Sequence, residues 1–288
     1  MAGKKGLRET VGSGVLFGTS VSAIKLGLDA QIPPILFATL RFLVASVLVL
    51  LFLRRQGWVN GPLLRSRQMW IIGLVNLTGY VLQFEGQALT TASDAALVIG
   101  SAALMIPIAS KLRGTEKLVW TRTVGVVLGF VGTALVVTRG EQLMIGTSQV
   151  LGDLLILGTA VTVALIFVYT KELVTRKGSP AVTGGMIMTT AVLLIPFIPL
   201  EKTNSINLGL DAWFYISFLA VVSTVGAYFL FMKGLETVSP TVSSIILPIE
   251  VIVSVALSVL IFRDPFTLVS GSGALLIIFG VFLVSVSS

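Results

Sequence analysis

The sequence predicts an all-α polytopic membrane protein of ten transmembrane helices, arranged as two inverted repeats of five. Composition is the first reason, because 55% of the 288 residues are hydrophobic and only 11% are charged, whereas soluble domains carry about 25% charged residues. The second reason is a succession of apolar segments of the length that a helix needs to cross a bilayer, about 20 residues. The third is that short motifs of the first half return in the second.

The apolar segments fill the chain, with short polar junctions between them. We place them near residues 11–28, 33–53, 69–89, 92–110, 119–138, 150–173, 180–200, 211–235, 240–262 and 266–286. Prolines mark several junctions, among them Pro33, Pro180, Pro240 and Pro265, and a residue with a fixed φ and no backbone donor suits the start of a helix. No small-residue cleavage site follows the first charged residues, so we expect the first helix to be retained rather than removed as a signal peptide.

Basic residues predict the orientation in the membrane. Fifteen of the 20 lysine and arginine residues fall on the side that holds the N-terminus, mostly within 4–8, 54–67, 111–122 and 171–177. Short loops rich in these residues stay in the cytoplasm. We therefore expect a protein of the cell (inner or plasma) membrane with both termini cytoplasmic. The same topology accounts for the net charge of +7, so no nucleic-acid partner is expected.

Motifs that recur in the same order predict a duplication. Gly18-Thr19-Ser20-Val21-Ser22 returns as Gly158-Thr159-Ala160-Val161-Thr162, and Leu89-Thr90-Thr91-Ala92-Ser93 returns as Leu235-Glu236-Thr237-Val238-Ser239. We assign residues 1–142 to the first repeat and 143–288 to the second. Since each repeat holds an odd number of spans, the second enters the membrane from the opposite side. Such inverted repeats enclose a site near the bilayer midplane that opens alternately to either side, so the architecture favours transport.

The chemistry available to the chain is narrow. It has no cysteine and no histidine, which excludes thiol-ligated metals, iron–sulfur clusters, histidine-ligated haem and nucleophile pairs that use histidine. No cofactor is therefore expected. An intramembrane hydrolase would need paired aspartates, a serine–lysine dyad or a metal cluster inside the spans. Asp94 and Asp153 instead lie at predicted helix starts, where they suit N-terminal caps, and we expect no enzyme.

A set of short motifs is spread over nearly the whole chain: Gly18-Thr19 with residues 23–28, Pro33-Pro34 with residues 36–43, and residues 88–93, 114–118 and 262–265. In these motifs the chain resembles the EamA group of the drug/metabolite transporter superfamily. Three positions depart from the family pattern: Phe17 stands for a tryptophan, Ala103 for a proline and Asp264 for a glutamate. The resemblance implies ten helices in two repeats, a central cavity, and export or uptake of small metabolites, often amino acids.

Polar residues inside the spans predict where a substrate passes, because an unsatisfied polar group in hydrocarbon costs several kcal/mol. The third span carries Asn76, Tyr80, Gln83 and Gln87 at i, i+4, i+7 and i+11, which is one face of a helix. We interpret this stripe as cavity lining. Hydrogen bonding between helices is the alternative interpretation.

The ninth span carries a similar stripe of Ser243, Glu250 and Ser254. Glu250 falls near the bilayer centre, where a carboxylate is by default a functional hypothesis; it would carry a coupling proton or meet a substrate ammonium group. The alternative is a structural ion pair with Arg41, the one basic residue well inside a span. Arg41 itself has two interpretations, a structural role at helix ends or a partner for a substrate carboxylate.

Paired hydroxyls, tyrosines and glycines complete the set of candidate residues. The hydroxyl pairs are Thr19 with Ser22 and Thr159 with Thr162; their place in both repeats suggests a shared cavity, although each hydroxyl can also bond its own helix. Tyr80, Tyr169 and Tyr228 would form an aromatic wall, with ordinary packing as the alternative. Glycines of the fifth and tenth spans are expected to allow close helix packing: Gly125, Gly129, Gly132, Gly271, Gly273 and Gly280.

We therefore predict a secondary active transporter of small metabolites that works by alternating access, with amino acids or related organic compounds as the first candidates. No nucleotide-binding loop is present, so gradients or exchange would drive it. A nucleotide-sugar or phosphate-ester exchanger is the alternative within transport, although it should place several cations in the spans. A lipid-handling membrane protein is the alternative from another class. The expected partners are a small-molecule substrate and the lipid bilayer, with the chain as a monomer or homodimer.

Overall fold

Helices form the first half of the chain. The computed structural model describes residues 2–115, 120–138, 148–201, 208–243, 246–263 and 267–286. The helices of the first half are α1 (Ala2–Asp29), α2 (Pro34–Leu48), α3 (Gly61–Leu64), α4 (Arg67–Leu89), α5 (Ala92–Gly100), α6 (Ala102–Leu112) and α7 (Trp120–Thr138). A π-helical stretch, Val49–Leu53, and a 3₁₀ turn, Arg54–Gln56, extend α2.

Helices also form the second half of the chain. Its helices are α8 (Ser148–Lys177), α9 (Ser179–Leu194), α10 (Leu210–Phe218), α11 (Ala227–Thr237), α12 (Pro240–Ser243), α13 (Ile246–Phe262) and α14 (Leu268–Val286). A 3₁₀ stretch, Ile195–Leu200, extends α9, and a π-helical stretch, Leu219–Gly226, joins α10 to α11. The prediction of an all-helical chain is thus confirmed across the described residues.

Six helical segments are long and apolar enough to cross a membrane by length and composition: Gly6–Asp29, Pro34–Gln56, Ala92–Leu112, Ser148–Lys177, Ser179–Pro199 and Leu210–Thr237. Three shorter apolar helices cover Thr123–Val136, Ile246–Phe262 and Leu268–Leu283. The chain is therefore a multi-pass membrane protein. Helix α4 is long as well, with 23 residues, but it carries the polar stripe predicted for the third span.

The structure refines the predicted boundaries. Helix α1 begins at Ala2, well before the predicted start at residue 11. The segment 92–110 is two helices that meet at Ser101, whose hydroxyl and backbone N–H both donate to Val98 O, at 2.6 and 3.1 Å. A side chain that bonds a carbonyl of its own turn competes with the α-helical ladder and bends the helix.

Two predicted N-terminal caps are wrong. The cap of α5 is Thr91, whose hydroxyl oxygen accepts from the backbone N–H of Asp94 at 3.1 Å, while Asp94 lies in the first turn. Asp153 lies inside α8 and accepts a hydrogen bond from the Thr90 hydroxyl at 2.5 Å. Both aspartates are close in sequence to the start of a helix. At α5, however, the hydroxyl of Thr91 accepts from the free backbone N–H group of the first turn.

The predicted role of glycines in helix packing is confirmed where α7 lies along α14. A Cβ on Gly132 would stand 2.6 Å from Gly273 O, and one on Gly273 would stand 2.7 Å from Gly132 O. A Cβ on Gly280 would stand 2.5 Å from Gly125 O. Small residues that let backbones approach are the usual means of helix association in lipid. Helix α4 packs along α8 in the same way, since a Cβ on Gly86 would meet Gly152 O at 2.9 Å.

Charged side chains fix several helix ends. The carboxylate of Glu201 accepts from the N–H groups of Ile35 and Leu36, both at 2.7 Å, at the start of α2, where a negative charge is favourable. At another junction Lys171 Nζ donates to the carbonyls of Leu235 and Val238, at 2.7 and 2.8 Å. The ends of helices are therefore held by neighbouring spans. Residues 116–118 and 264–265, which carry part of the family resemblance, lie outside the described residues.

Candidate functional site

A cavity lies inside the bundle, between α1, α4, α5, α8, α11 and α13. The empty volume of the cavity, including its opening, is about 640 Å³. The centres of water molecules can occupy about 70 Å³ of this volume. Its described lining is Phe17, Ser20, Asn76, Gly79, Tyr80, Gln83, Ile99, Thr159, Thr162, Val163, Ile166, Phe167, Tyr228, Phe231, Ile246, Leu247 and Glu250. Most of these side chains are aromatic or aliphatic, with a few polar groups among them, as is usual for small-molecule sites.

Seven of the residues predicted from the sequence lie on this lining: Asn76, Tyr80, Gln83, Thr159, Thr162, Tyr228 and Glu250. The stripe on α4 thus points at the cavity over two turns. Gln87, the last member, is fully buried beyond the lining, and neither atom of its amide group has a hydrogen-bond partner within the described chain. The hydroxyl of Thr159 donates to Gly79 O at 3.1 Å, which places α8 close against α4.

On α1 the residues that line the cavity differ from those that the sequence predicted. Thr19 donates to Leu16 O at 2.7 Å and Ser22 is buried, and neither lies on the described lining. Phe17 and Ser20, three positions apart on one helix face, line the cavity instead. The repeated motif contains Ser20, but the repeat alone does not show which of its positions faces inward.

Three further predicted residues lie away from the lining. Tyr169 is 44% exposed, and its ring lies 4.7 Å from the Arg113 guanidinium carbon. Ser243 is buried at the end of α12. Ser254 donates to Gly18 O at 2.9 Å, which joins α13 to α1. The hydroxyl of Ser254 thus contributes to helix association, as the alternative interpretation of polar residues in spans holds.

A chain of hydrogen bonds crosses one wall of the cavity. The Tyr228 hydroxyl donates to Asn76 Oδ1 at 2.8 Å, and Asn76 Nδ2 donates to Thr190 Oγ1 at 2.9 Å. The chain joins α11, α4 and α9. All three side chains are buried, where each bond is protected from water.

Arg41 lies behind this wall rather than on the cavity lining. It is 1% exposed; its Nε donates to Thr224 Oγ1 at 2.5 Å and its Nη2 to the Tyr80 hydroxyl at 3.3 Å. The guanidinium carbon also lies 4.8 Å from the centre of the Tyr80 ring, within the range of a cation–π contact. Tyr80 therefore stands between Arg41 and the cavity.

Glu250 is the charged member of the described lining. It is 9% exposed, and the described residues give it neither a hydrogen bond nor an ion pair. The ion pair with Arg41, which was the structural alternative, is not formed. A buried carboxylate without a partner is costly, so its retention in a cavity favours a binding role.

Phenylalanines on three helices complete the lining and were not predicted. Phe17 packs edge-to-face on Tyr228 with ring centres 5.1 Å apart, and the rings of Phe167 and Phe231 lie 4.4 Å apart. Sequence inspection passes over such residues because an aromatic side chain in an apolar helix is unremarkable. Their spacing from known lining positions on the same helices is the signal that would have found them.

The bundle and its central cavity define a class, that of multi-pass membrane proteins with an internal cavity. The model of the EamA-like transporter family matches residues 5–138 and again residues 150–286. The chain belongs to the EamA-like transporter family.

Relatives with transporter names share most of the chain. "Uncharacterized transporter YetK" of Bacillus subtilis is 28% identical over 278 residues, covering 93% of this chain and 83% of that protein. An "Uncharacterized transporter" of Archaeoglobus fulgidus is 23% identical, covering 93% and 94%. "Uncharacterized inner membrane transporter YedA" of Escherichia coli K12 is 27% identical, covering 84% and 78%. One solved crystal structure matches with a TM-score of 0.71 at 19% identity, covering 96% of each chain, which shows a common fold.

Proposed function

We propose that the protein is a secondary active transporter of small organic molecules, which it moves by alternating access around the central cavity. The observation that carries this proposal is that both halves build the cavity. Helices α1, α4 and α5 come from the first family match, and α8, α11 and α13 come from the second. A site shared by two halves changes its access when one half rocks against the other.

Ten spans in two inverted repeats, residues 1–142 and 143–288, are part of the proposal. The two family matches support this division. Helix packing supports it too: α1 packs on α11 and α13, and its counterpart α8 packs on α4 and on α5 with α6. Helices α2 with α9 and α7 with α14 pack as pairs, as expected for counterparts next to a two-fold axis. In this arrangement α4 and the three shorter apolar helices also cross the bilayer.

The proposed location is the plasma membrane, with both termini in the cytoplasm. The distribution of lysine and arginine supports this orientation, and the name of the E. coli relative supports the location. The proposed transport unit is the chain as a monomer or a homodimer.

Glu250 favours substrates that carry an ammonium group, amino acids and simple amines among them. An exchanger of nucleotide sugars or phosphate esters would need cations on the cavity wall, and the described lining has none. Transport would be driven by exchange or by an ion gradient, with Glu250 as the group that takes up a coupling proton when the substrate is absent.

Counterflow in proteoliposomes tests the proposal. Vesicles loaded with an unlabelled amino acid or amine are challenged with the labelled compound, and a carrier gives transient accumulation. Ser20→Phe, which fills the cavity, is expected to lower the rate at least tenfold. Ser272→Phe is the matched control, because Ser272 is exposed on α14 and should keep the wild-type rate.

Equal loss in both serine variants would show that the cavity is not the path. Absence of counterflow for every compound in a panel of amino acids, amines and phosphorylated metabolites would overturn the proposal of secondary transport.

A further inference from the structure

We infer that the cavity selects small monoamines, compounds with an aromatic or apolar body and one ammonium group but no carboxylate. The inference rests on the proposed function, since it names the substrate class of the same site. The cavity would then bind a simple amine more tightly than the amino acid that carries an additional carboxylate. Three features of the lining carry it: its charge, its aromatic rings and the direction of its hydrogen bonds.

The described lining has one carboxyl side chain. Glu250 is more than nine-tenths buried and lies on the cavity, and the described lining has no lysine or arginine. An ionised carboxylate in such a place needs a cation to offset its lost hydration. A ligand with a single ammonium group supplies one positive charge without bringing a second charge that would need its own partner.

Aromatic rings from three helices line the same cavity as this carboxyl group. Phe17 and Tyr228 pack edge-to-face, and the rings of Phe167 and Phe231 lie 4.4 Å apart. Ring faces attract cations within about 6 Å and also take up the apolar body of a ligand. Sites that recognise ammonium ligands combine these two elements, an aromatic wall and a carboxylate.

The serine and threonine hydroxyls of the described lining have already donated their protons. Ser20 donates to Phe17 O at 2.7 Å, Thr162 to Thr159 O at 2.7 Å and Thr159 to Gly79 O at 3.1 Å. Each hydroxyl therefore turns lone pairs rather than a proton toward a ligand. Such a wall accepts hydrogen bonds from the N–H groups of an ammonium ion, and it offers little to a carboxylate.

Arg41 lies off the described lining, which limits its use for a ligand carboxylate. Its Nε donates to Thr224 and its Nη2 to the Tyr80 hydroxyl, while its Nη1 has no hydrogen-bond partner within the described chain. The Tyr80 ring, which is on the lining, lies 4.8 Å from its guanidinium carbon. Asn76 donates one N–H of its amide to Thr190, so the donors that the described lining can offer a carboxylate are neutral groups such as the amide of Gln83. A carboxylate next to the ammonium group would thus be taken from water without a cation to offset its charge.

The test compares three ligands with a common phenylethyl body: phenylalanine, 2-phenylethylamine, which lacks its carboxylate, and 3-phenylpropanoate, which lacks its ammonium group. Purified full-length protein in lipid nanodiscs binds labelled 2-phenylethylamine, and the other two compete for it. On the wild type we expect the amine to bind at least tenfold more tightly than phenylalanine, and 3-phenylpropanoate not to compete. This ranking needs no variant.

Variants then locate the site. Glu250→Gln is expected to weaken binding of 2-phenylethylamine by about 10- to 100-fold, the usual effect of losing a hydrogen bond to a charged group. Glu85→Gln is the matched control, because Glu85 lies on α4 away from the lining, and it should bind like the wild type. Thr162→Val keeps the shape of the side chain but removes its lone pairs, and should weaken the amine several-fold.

The inference is overturned if phenylalanine binds as tightly as the amine, if 3-phenylpropanoate competes, or if Glu250→Gln binds like the wild type. It also fails, while the transport proposal stands, if counterflow carries other compounds and none of the three probes binds. If the ranking holds but no counterflow occurs, the amine site stands and the transport proposal fails.

Discussion

At the residue scale, the hydrogen bonds from Tyr228 through Asn76 to Thr190 should couple energetically. We predict that Tyr228→Phe and Asn76→Ala together destabilise the protein less than the sum of their separate effects, by about 0.6–1.7 kcal/mol, the range measured for hydrogen bonds between membrane helices. The measurement is the free energy of unfolding by SDS in lipid micelles for the four proteins of the cycle. Tyr215→Phe with Asn76→Ala is the control cycle, because Tyr215 lies on α10 and its hydroxyl makes no hydrogen bond within the described residues. Coupling no larger than in the control would contradict the hydrogen-bond chain.

Also at this scale, the sequence predicts part of the site well. The stripe on α4 is found because Asn76, Tyr80 and Gln83 follow the helical period and stand out against apolar neighbours. Ser20 was missed in favour of Thr19 because adjacent positions differ by about 100° around a helix, and a repeated motif does not fix that angle. Only the partner helices decide which hydroxyl faces inward.

At the element scale, the contact between α7 and α14 should tolerate no added side chain. We predict that Gly132→Ala lowers the free energy of unfolding by about 1–3 kcal/mol, the usual cost of overpacking, because its Cβ would stand 2.6 Å from Gly273 O. Gly61→Ala is the control, since no atom lies within 4 Å of a Cβ there, and its effect should stay within about 0.5 kcal/mol. The free energy of unfolding by SDS, measured for both variants, tests this prediction. Equal stability of the two variants would mean that the helices are not in close contact.

The elements themselves are largely predictable, since every segment placed by apolar length is helical over most of its described residues. The interruptions within these helices are not predictable from the sequence. The break at Ser101 depends on a side chain that bonds its own turn, and the π-helical stretch Leu219–Gly226 contains no proline that would announce it. Both depend on contacts between spans, which a single sequence does not show.

At the scale of the whole molecule, the proposed topology can be read by cysteine labelling, because the chain contains no cysteine. Gly61→Cys and Gly209→Cys place single thiols in two loops, at positions where a side chain meets no atom within 4 Å. We predict that a membrane-impermeant maleimide added to intact cells labels only the cysteine at position 209. The cysteine at position 61 should react after the membrane is permeabilised. The reverse pattern would invert the proposed orientation, and labelling of both from one side would contradict the odd number of spans between them.

The winding of the π-helical stretch Leu219–Gly226 affects the width of the cavity. Its wider turn leaves the Thr224 hydroxyl to donate to Leu219 O at 2.9 Å, while its oxygen accepts from Arg41. A return to α-helical winding would move every later residue by about one position, or about 100° around the axis. Tyr228 would then leave Asn76 and turn away from the substrate space. Eight residues of unusual pitch therefore act as a spacer that keeps one wall of the cavity in register with the other.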